Sequence, residues 1–350
     1  MDLSFYQHKK ILVTGHTGFK GSWLCRLLID QGAQVVGYAL ASPDSPSLFD
    51  LSGIEQDMVS VLGDIRDLKH LQDVFKTYQP EIVFHLAAQP LVRLSYDEPV
   101  ETYATNVMGT VNVLECVRKC PSVKSFVNVT TDKVYFNTEE KRAYQETDRL
   151  DGFDPYSNSK SCSELVTGSY KNSFFQDRLI AISTARSGNV IGGGDFAKDR
   201  IIPDCFRAAA QKQNIVIRNP HSTRPYQHVL ETLRGYLMIA QAQYEDLRKA
   251  GSYNIGPDDH DNLETLKMVE LFCSTWGQDL SYTIQTVKSV HEAQLLQLDH
   301  AKITQTLGWM PVWTAQEAIQ TSVQWYQAFL NKKDMKEVMI QQIQEYFKQC

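Results

Sequence analysis

The chain has little that would take it to a nucleic acid, a membrane or an oxidising compartment. Its 35 basic and 41 acidic residues leave a formal net charge of −6 without long single-sign blocks, whereas nonspecific nucleic-acid binding needs a basic surface. A local basic pocket for a diphosphate remains compatible with that balance. No apolar run approaches the roughly 18 residues of a membrane helix, and residues 1–10 hold no apolar core of signal-peptide type. The expectation is a cytoplasmic protein with neither membrane nor nucleic-acid partner. The seven cysteines, at positions 25, 116, 120, 162, 205, 273 and 350, are odd in number and follow no framework spacing, which fits reduced thiols. Cys116 and Cys120 share a helix face, but no further Cys or His pair completes a tetrahedral set, so no metal is expected. Internal repeats and low-complexity tracts are also missing.

What is present is length and apolar content. With 350 residues, 43% of them hydrophobic, the chain can bury a sizeable core as two domains or as one domain with a lobe. Residues 10–14 read as a buried strand, followed at once by Gly15-His16-Thr17-Gly18-Phe19-Lys20-Gly21 and by helical spacing over 22–31. Strand, glycine-rich turn and helix in that order let the backbone approach a pyrophosphate seated on the helix N-terminus. A tight turn without a ligand is the bland alternative. Strand 34–38 ends without the Asp or Glu that usually meets a ribose 2′-hydroxyl, and without an Arg for a 2′-phosphate, so NAD and NADP both stay open there. A loop is expected over 42–47.

A strand and then a turn are expected over 59–67, with further strands over 81–89, at 125–129 and at 179–185, and helices at 68–78, 103–119 and 156–174. Asp64 and Ile65 follow the third strand, where they are placed to hold an adenine. Ala87 and Ala88 leave room for a cofactor to pass. His85, alone in an apolar strand, reads as a core residue. Asn106 can hold backbone or water near a site or be a surface amide. The alternation predicts a doubly wound parallel sheet of the Rossmann type with a smaller C-terminal α/β lobe. The domain reading is 1–188, with returns around 229–256, and a discontinuous substrate-binding part in 189–350.

Thr131-Asp132-Lys133 then falls at the carboxyl end of the fifth strand, where ligands meet catalytic groups in such sheets. Tyr156 and Lys160, at i and i+4, lie one above the other on the next helix. An ammonium there is expected to lower the tyrosine pKa toward neutrality. The phenolate can then take a proton from a sugar hydroxyl while hydride leaves its carbon. Tyr-x-x-x-Lys by itself is a weak signal, and an exposed helix pair is its bland reading; the strand-end context is what carries it. In the second half Asn189 can donate to a phosphate oxygen, and Arg200, Arg218 and Arg224 suit bidentate phosphate recognition. Arg207 reads as a surface charge. Helices are expected at 229–244, 263–276 and 315–330, a strand at 252–256, and a final polar helix over 332–350 that packs on the lobe or on a partner. Glu139-Glu140-Lys141-Arg142 reads as a solvated loop.

Together these residues resemble the extended short-chain dehydrogenases. Phe19-Lys20-Gly21-Ser22-Trp23, Ala87-Ala88-Gln89-Pro90-Leu91-Val92-Arg93 and Thr131-Asp132-Lys133 are similar to the CDP-glucose 4,6-dehydratases in particular. Asp154-Pro155-Tyr156-Ser157-Asn158-Ser159-Lys160, Gly188-Asn189-Val190-Ile191-Gly192-Gly193-Gly194-Asp195 and Arg218-Asn219-Pro220-His221 match as well, and the resemblance extends through Leu307-Gly308-Trp309. Related dTDP-glucose dehydratases carry Asp-Glu where this chain has Asp132-Lys133, and sugar 4-epimerases usually carry neither. The chain departs from the pattern at Tyr226, where Trp is expected, and at the loop 139–142.

The resemblance implies NAD held by Gly15, Thr17, Gly18, Phe19, Gly21, Asp64, Ile65, Leu86, Ala87, Ala88, Gln89, Asn106, Val129, Tyr156 and Lys160. It implies a nucleotide sugar, CDP-glucose, met by Gln89, Arg93, Thr131, Asn189, Arg200, Arg218 and Arg224. It implies catalysis by Thr131, Asp132, Lys133, Tyr156 and Lys160, and a homodimer or higher homo-oligomer formed through helices 103–119 and 156–174. Two other classes stand beside it: a sugar-nucleotide 4-epimerase or a dehydratase for another nucleotide sugar, and a nonenzymatic NAD(P)-binding sensor.

Overall fold

The computed structural model describes residues 2–42, 45–175, 178–277, 280–285 and 295–350. Two positions of the expected loop 42–47, Pro43 and Asp44, lie outside the described residues. Strands β1 (Lys10–Thr14), β2 (Gln34–Ala39), β3 (Val59–Leu62), β4 (Ile82–His85), β5 (Ser125–Val129) and β6 (Ala181–Ser187) join Ser252–Ile255 in one seven-stranded sheet. From one edge the order is Ser252–Ile255, β6, β5, β4, β1, β2, β3, and every pairing is parallel. The order reverses at β1, whose neighbours are β2 and β4. The crevice beyond the carboxyl ends of β1 and β4 is therefore the topological switch point where such sheets take ligands.

Both faces of the sheet are covered, so its strands are apolar at consecutive positions rather than alternating. Side chains still alternate in direction. Ile11, Val13, Ile82 and Phe84 enter one hydrophobic cluster, and Leu12, Val83, Phe126 and Ile182 enter another on the opposite face. The first cluster does not stop at the sheet. It runs on through Ile202, Phe206, Met268, Trp309, Trp325, Ile343 and Tyr346, so the C-terminal part shares one core with one sheet face.

Several elements differ from expectation. Helix α1 (Phe19–Asp30) begins three residues early, because Gly18 is its extended N-cap and the glycine motif itself forms the first turn. Pro99 opens a helix at Pro99–Tyr103, as its fixed φ suits a first helical turn. The expected uninterrupted helix over 103–119 is instead broken by a π-turn at Ala104–Met108 before Gly109–Lys119. A short helix at Val92–Asp97 precedes it. Strand β4 ends at His85, since Ala87 N turns to Thr14 Oγ1 at 3.2 Å. The last helix, Met335–Phe347, is not polar all round: Met335, Met339, Ile343 and Tyr346 are buried against α1 and Ala315–Leu330.

Candidate active site

Each glycine of the turn after β1 answers to a different constraint. Gly15 has φ +76°, and a Cβ there would lie 2.7 Å from Ala87 N. A Cβ on Gly21 would lie 2.1 Å from the Gly15 carbonyl oxygen, so helix and strand pack closer than any side chain allows. Gly18 has only Gly15 O at 3.5 Å, and no side chain caps the N-terminus of α1. That combination is an open backbone cradle ending in free amides, which fits a dinucleotide pyrophosphate. Thr17 Oγ1 donates to Leu40 O at 2.8 Å and braces the turn against the end of β2. His16 lies beneath Gly37, where a Cβ would come within 2.2 Å of its ring, and burial lowers its pKa to about 4.

The Asp64 carboxylate is turned toward Arg66, accepting from its backbone N–H at 2.8 Å and its Nε at 3.0 Å. Ile65 is buried against Gly109. Leu86 N bonds Thr14 O at 3.1 Å, and with Ala87 and Ala88 it forms the half-buried path beside β4. His85 is a hydrogen-bonded core residue between Thr14 Oγ1 (2.7 Å) and Thr110 Oγ1 (3.2 Å). The π-turn carries Asn106 inward. Its Oδ1 accepts from Gln89 N at 2.8 Å, and its Nδ2 donates to Gln89 O at 3.1 Å and Ser159 Oγ at 2.9 Å. The Gln89 side chain is itself engaged by Leu91 and Thr102.

At the end of β5 Thr131 caps a one-turn 3₁₀ helix, Asp132–Val134. Thr131 Oγ1 donates to Asp132 Oδ1 at 2.9 Å, and Lys133 Nζ reaches the same oxygen at 3.5 Å. Asp132 is fully buried, and its Oδ2 has no hydrogen-bond partner among the described residues. A buried acceptor of that kind is costly unless something fills its site. Asp154 caps the helix Pro155–Phe174 through Ser157 N at 2.9 Å, which sets Tyr156 and Lys160 on its first turns. Lys160 Nζ donates to Val129 O at 3.1 Å.

The expected depression of the Tyr156 pKa is not found in the chain alone. Burial raises it, Lys133 and the Thr131 hydroxyl pull it down, and Asp132 pushes it up again. Lys160, held on a strand carbonyl and itself lowered to about 8 chiefly by burial, is not among its main influences.

Sequence reasoning missed a buried ion pair behind this group. Glu164 accepts from Thr130 Oγ1 (2.5 Å), Thr184 Oγ1 (2.7 Å) and Arg186 Nε and Nη2 (both 2.9 Å). Arg186 Nη1 donates to Tyr135 Oη at 2.8 Å, which donates on to Asn254 at 2.6 Å. A usable signal existed: Glu164 repeats the i+4 spacing of Tyr156 and Lys160, and Arg186 is the one charged residue of the strand Ala181–Ser187.

On the lobe side, Arg93 and Arg218 both point at Asp199, at 3.2 and 2.8 Å, and Arg200 pairs with Asp195 at 2.9 Å. Arg224 is buried and donates to Thr223 O at 3.0 Å. The Asn189 Oδ1 is buried without a partner among the described residues. Arg207 is no simple surface charge, since its guanidinium holds Phe196 O and Ala197 O at 3.0 and 3.2 Å. Tyr226 is buried, 3.3 Å from Thr265 Oγ1. Residues 139–142 are exposed.

Among solved structures the fold is similar to dTDP-glucose 4,6-dehydratase from Bacillus anthracis in complex with NAD, with TM-score 0.78, 22% identity, and coverage of 93% of this chain and 98% of that one. It is also similar to UDP-glucose 4-epimerase from Thermotoga maritima, with TM-score 0.80, 22% identity, and coverage of 91% and 99%. In sequence the chain is 46% identical to CDP-glucose 4,6-dehydratase of Salmonella typhimurium, over 99% of this chain and 98% of that protein. It is 29% identical to dTDP-glucose 4,6-dehydratase 1 of Escherichia coli over 91% of this chain and 92% of that protein. With residues 12–322 matching the family described as GDP-mannose 4,6 dehydratase, the chain belongs to that family.

Proposed function

We propose that the chain is an NAD-dependent nucleotide-sugar 4,6-dehydratase that converts CDP-glucose to CDP-4-keto-6-deoxyglucose. One observation carries this reading: the fully buried Asp132, its Oδ2 without a hydrogen-bond partner among the described residues, sits between Thr131 and Lys133 at the strand end that also anchors Lys160. An epimerase, which only oxidises and re-reduces C4, has no use for an acid and a base there. The 46% identity to the Salmonella CDP-glucose enzyme supports the choice of sugar nucleotide.

Gly15, Thr17, Gly18, Phe19 and Gly21 would hold the dinucleotide pyrophosphate, Asp64 and Ile65 its adenosine end, and Leu86, Ala87, Ala88, Gln89, Asn106 and Val129 its inner half. When bound, NAD accepts hydride from C4 and returns it to C6. Tyr156 Oη takes the O4 proton while Thr131 Oγ1 hydrogen-bonds O4. With C4 a ketone, the C5 proton is acidic. Lys133 Nζ removes it, Asp132 Oδ2 protonates the departing C6 hydroxyl, which leaves as water, and Lys133 returns the proton to C5 as hydride reaches C6. Gln89, Arg93, Asn189, Arg200, Arg218 and Arg224 bind the nucleotide diphosphate and sugar, with Arg93 and Arg218 exchanging Asp199 for phosphate oxygens.

The same reading makes the enzyme cytoplasmic, where its free cysteines stay reduced. It also makes it a homodimer through the faces that expose Met108, Leu165 and Phe174. The direct test offers CDP-, dTDP-, UDP- and GDP-glucose and reads loss of one water by mass spectrometry. CDP-glucose should lose water fastest. An isomer of unchanged mass would point to an epimerase, and no turnover of any of the four would sink the dehydratase reading.

A further inference from the structure

The helix that carries Tyr156 packs on the sheet through an unusual face. An amphipathic helix ordinarily buries an aliphatic stripe, and Gly109–Lys119, on the same side of the sheet, buries Val113, Leu114, Cys116 and Val117. In Pro155–Phe174 every buried residue other than Tyr156 is Ser, Thr, Lys or Glu. Strand β5 answers with polar groups of its own. Val127 and Val129 point into the core on the far face, while Asn128 and Thr130, which alternate with them, point at the helix. Asn128 Nδ2 donates to Ser163 Oγ and to Thr167 Oγ1, both at 2.9 Å.

Further contacts fasten the turn at the strand end. Thr130 Oγ1 donates to Glu164 Oε1 at 2.5 Å, and Ser161 Oγ donates to Val134 O at 2.7 Å. Thr130 and Val134 stand on either side of Thr131-Asp132-Lys133, so the turn is held at both ends by one helix. Thr131 keeps an extended backbone, with φ −149° and ψ 160°. Its side chain therefore leaves on the opposite side from that of Thr130, and anchoring Thr130 fixes where the Thr131 hydroxyl points. Glu164 cannot drift with Thr130, because Thr184 Oγ1 at 2.7 Å and Arg186 Nε and Nη2 at 2.9 Å hold its oxygens from β6.

An apolar seam is non-directional and lets a helix settle over a range of positions. Buried hydrogen bonds fix both distance and direction, since a donor or acceptor pulled off its partner loses the full desolvation cost. The chemistry proposed above, on which this inference rests, needs that fixity. Tyr156 and Thr131 meet the same sugar oxygen, one from the helix and one from the strand end. Lys133 and Asp132 act on two neighbouring carbons of the same sugar.

We propose that Thr130, Ser161 and Glu164 are positioning residues: their buried hydrogen bonds set the register of the turn Thr131-Asp132-Lys133 against the helix that bears Tyr156. The test compares Thr130→Val, which keeps the side-chain shape and removes the hydroxyl, with Thr130→Ser, which keeps the hydroxyl. The ligand-free chain is labelled with 13C-methyl threonine, and the Thr131 methyl resonance is identified by its loss in Thr131→Ser. That resonance should move in Thr130→Val and stay close to its wild-type position in Thr130→Ser. In turnover, Thr130→Val should lower kcat by roughly 10- to 100-fold, the scale of a misplacement of up to about 1 Å. KM should change little, and Thr130→Ser should restore kcat. A merely structural hydroxyl would lower the urea midpoint of Thr130→Val and leave its kcat at the wild-type value. That result, an unmoved Thr131 resonance in Thr130→Val, or the same loss of kcat in both variants would overturn the proposal. Should Thr130→Val fail to fold, Ser161→Ala, which frees the other end of the turn, is read by the same resonance and the same kcat. The methyl measurement needs no substrate, so a wrong dehydratase reading appears in the sugar-nucleotide panel and leaves this measurement intact.

Discussion

Burial of the Tyr156 hydroxyl works against its ionisation, and Lys133 and Thr131 only partly offset that. The phenolate base proposed for this site would therefore need further positive charge beside the ring. Tyr156→Phe should cut turnover by about 10²–10⁴-fold, the usual size of a general-base contribution, while NAD affinity measured by calorimetry changes little. Near wild-type turnover would remove Tyr156 from the chemistry. Lys133 is separable from it. Lys133→Met should still oxidise C4, seen as reduced-cofactor absorbance, and then stall without exchanging the C5 hydrogen for solvent deuterium. Normal exchange in that variant would leave Lys133 a structural residue. Restoration of part of the activity by Lys133→Glu would show that a carboxylate can serve as the same base.

At the scale of elements, the π-turn Ala104–Met108 lets one side chain hold three groups at once. Pure α-helical geometry over 99–119 would rotate Asn106 away from Gln89 and Ser159, since one residue changes the facing by about 100°. Such insertions concentrate at functional sites. Asn106→Ala would leave the half-buried Gln89 N–H without its acceptor, at a cost of about 1 kcal/mol, the low end for an unsatisfied donor. It would also loosen the segment 87–89, which is proposed to line the dinucleotide site. Urea unfolding should show the stability loss, and NAD titration a weaker affinity. Unchanged values in both would make the π-turn incidental.

For the whole molecule, three buried histidines set the acid limit of the fold. Burial lowers the pKa of His16 to about 4 and of His85 and His228 to about 3, against about 6.5 when unfolded. Below about pH 6.5 the unfolded chain binds protons that the native chain refuses, so stability falls as the pH drops from there toward 4. The stability these neutral rings contribute is complete above 6.5. Urea midpoints should therefore decline between pH 7 and 5, before most carboxylates titrate; a flat profile over that interval would contradict the buried neutral assignment. The proposed dimer belongs to this scale too. Sedimentation at micromolar concentration should give twice the chain mass, and Leu165→Glu, on the exposed face of Pro155–Phe174, should yield monomer. A wild-type monomer would reject that face as an interface.

The strands β1 and β5, the helix Leu68–Tyr78 and the parallel order of the sheet were legible because they rest on local spacing: apolar runs, helical periodicity and glycine-rich turns act over a few residues. So did the cluster Thr131, Asp132 and Lys133 with Tyr156 and Lys160, since a strand end and an i, i+4 helix pair are local features. The remainder depended on contacts between distant segments. The Tyr156 pKa direction needed the depth of burial, which no residue spacing encodes. The place of the Lys20 ammonium was decided only when β6 and the helix Val229–Glu245 put Ser187 and Tyr236 beside it. The last helix looked polar because its apolar residues were read without the α1 surface that covers them. Local sequence determined which segments became strands and helices; which charges meet, and in how little water, was decided by segments over a hundred residues apart packing together.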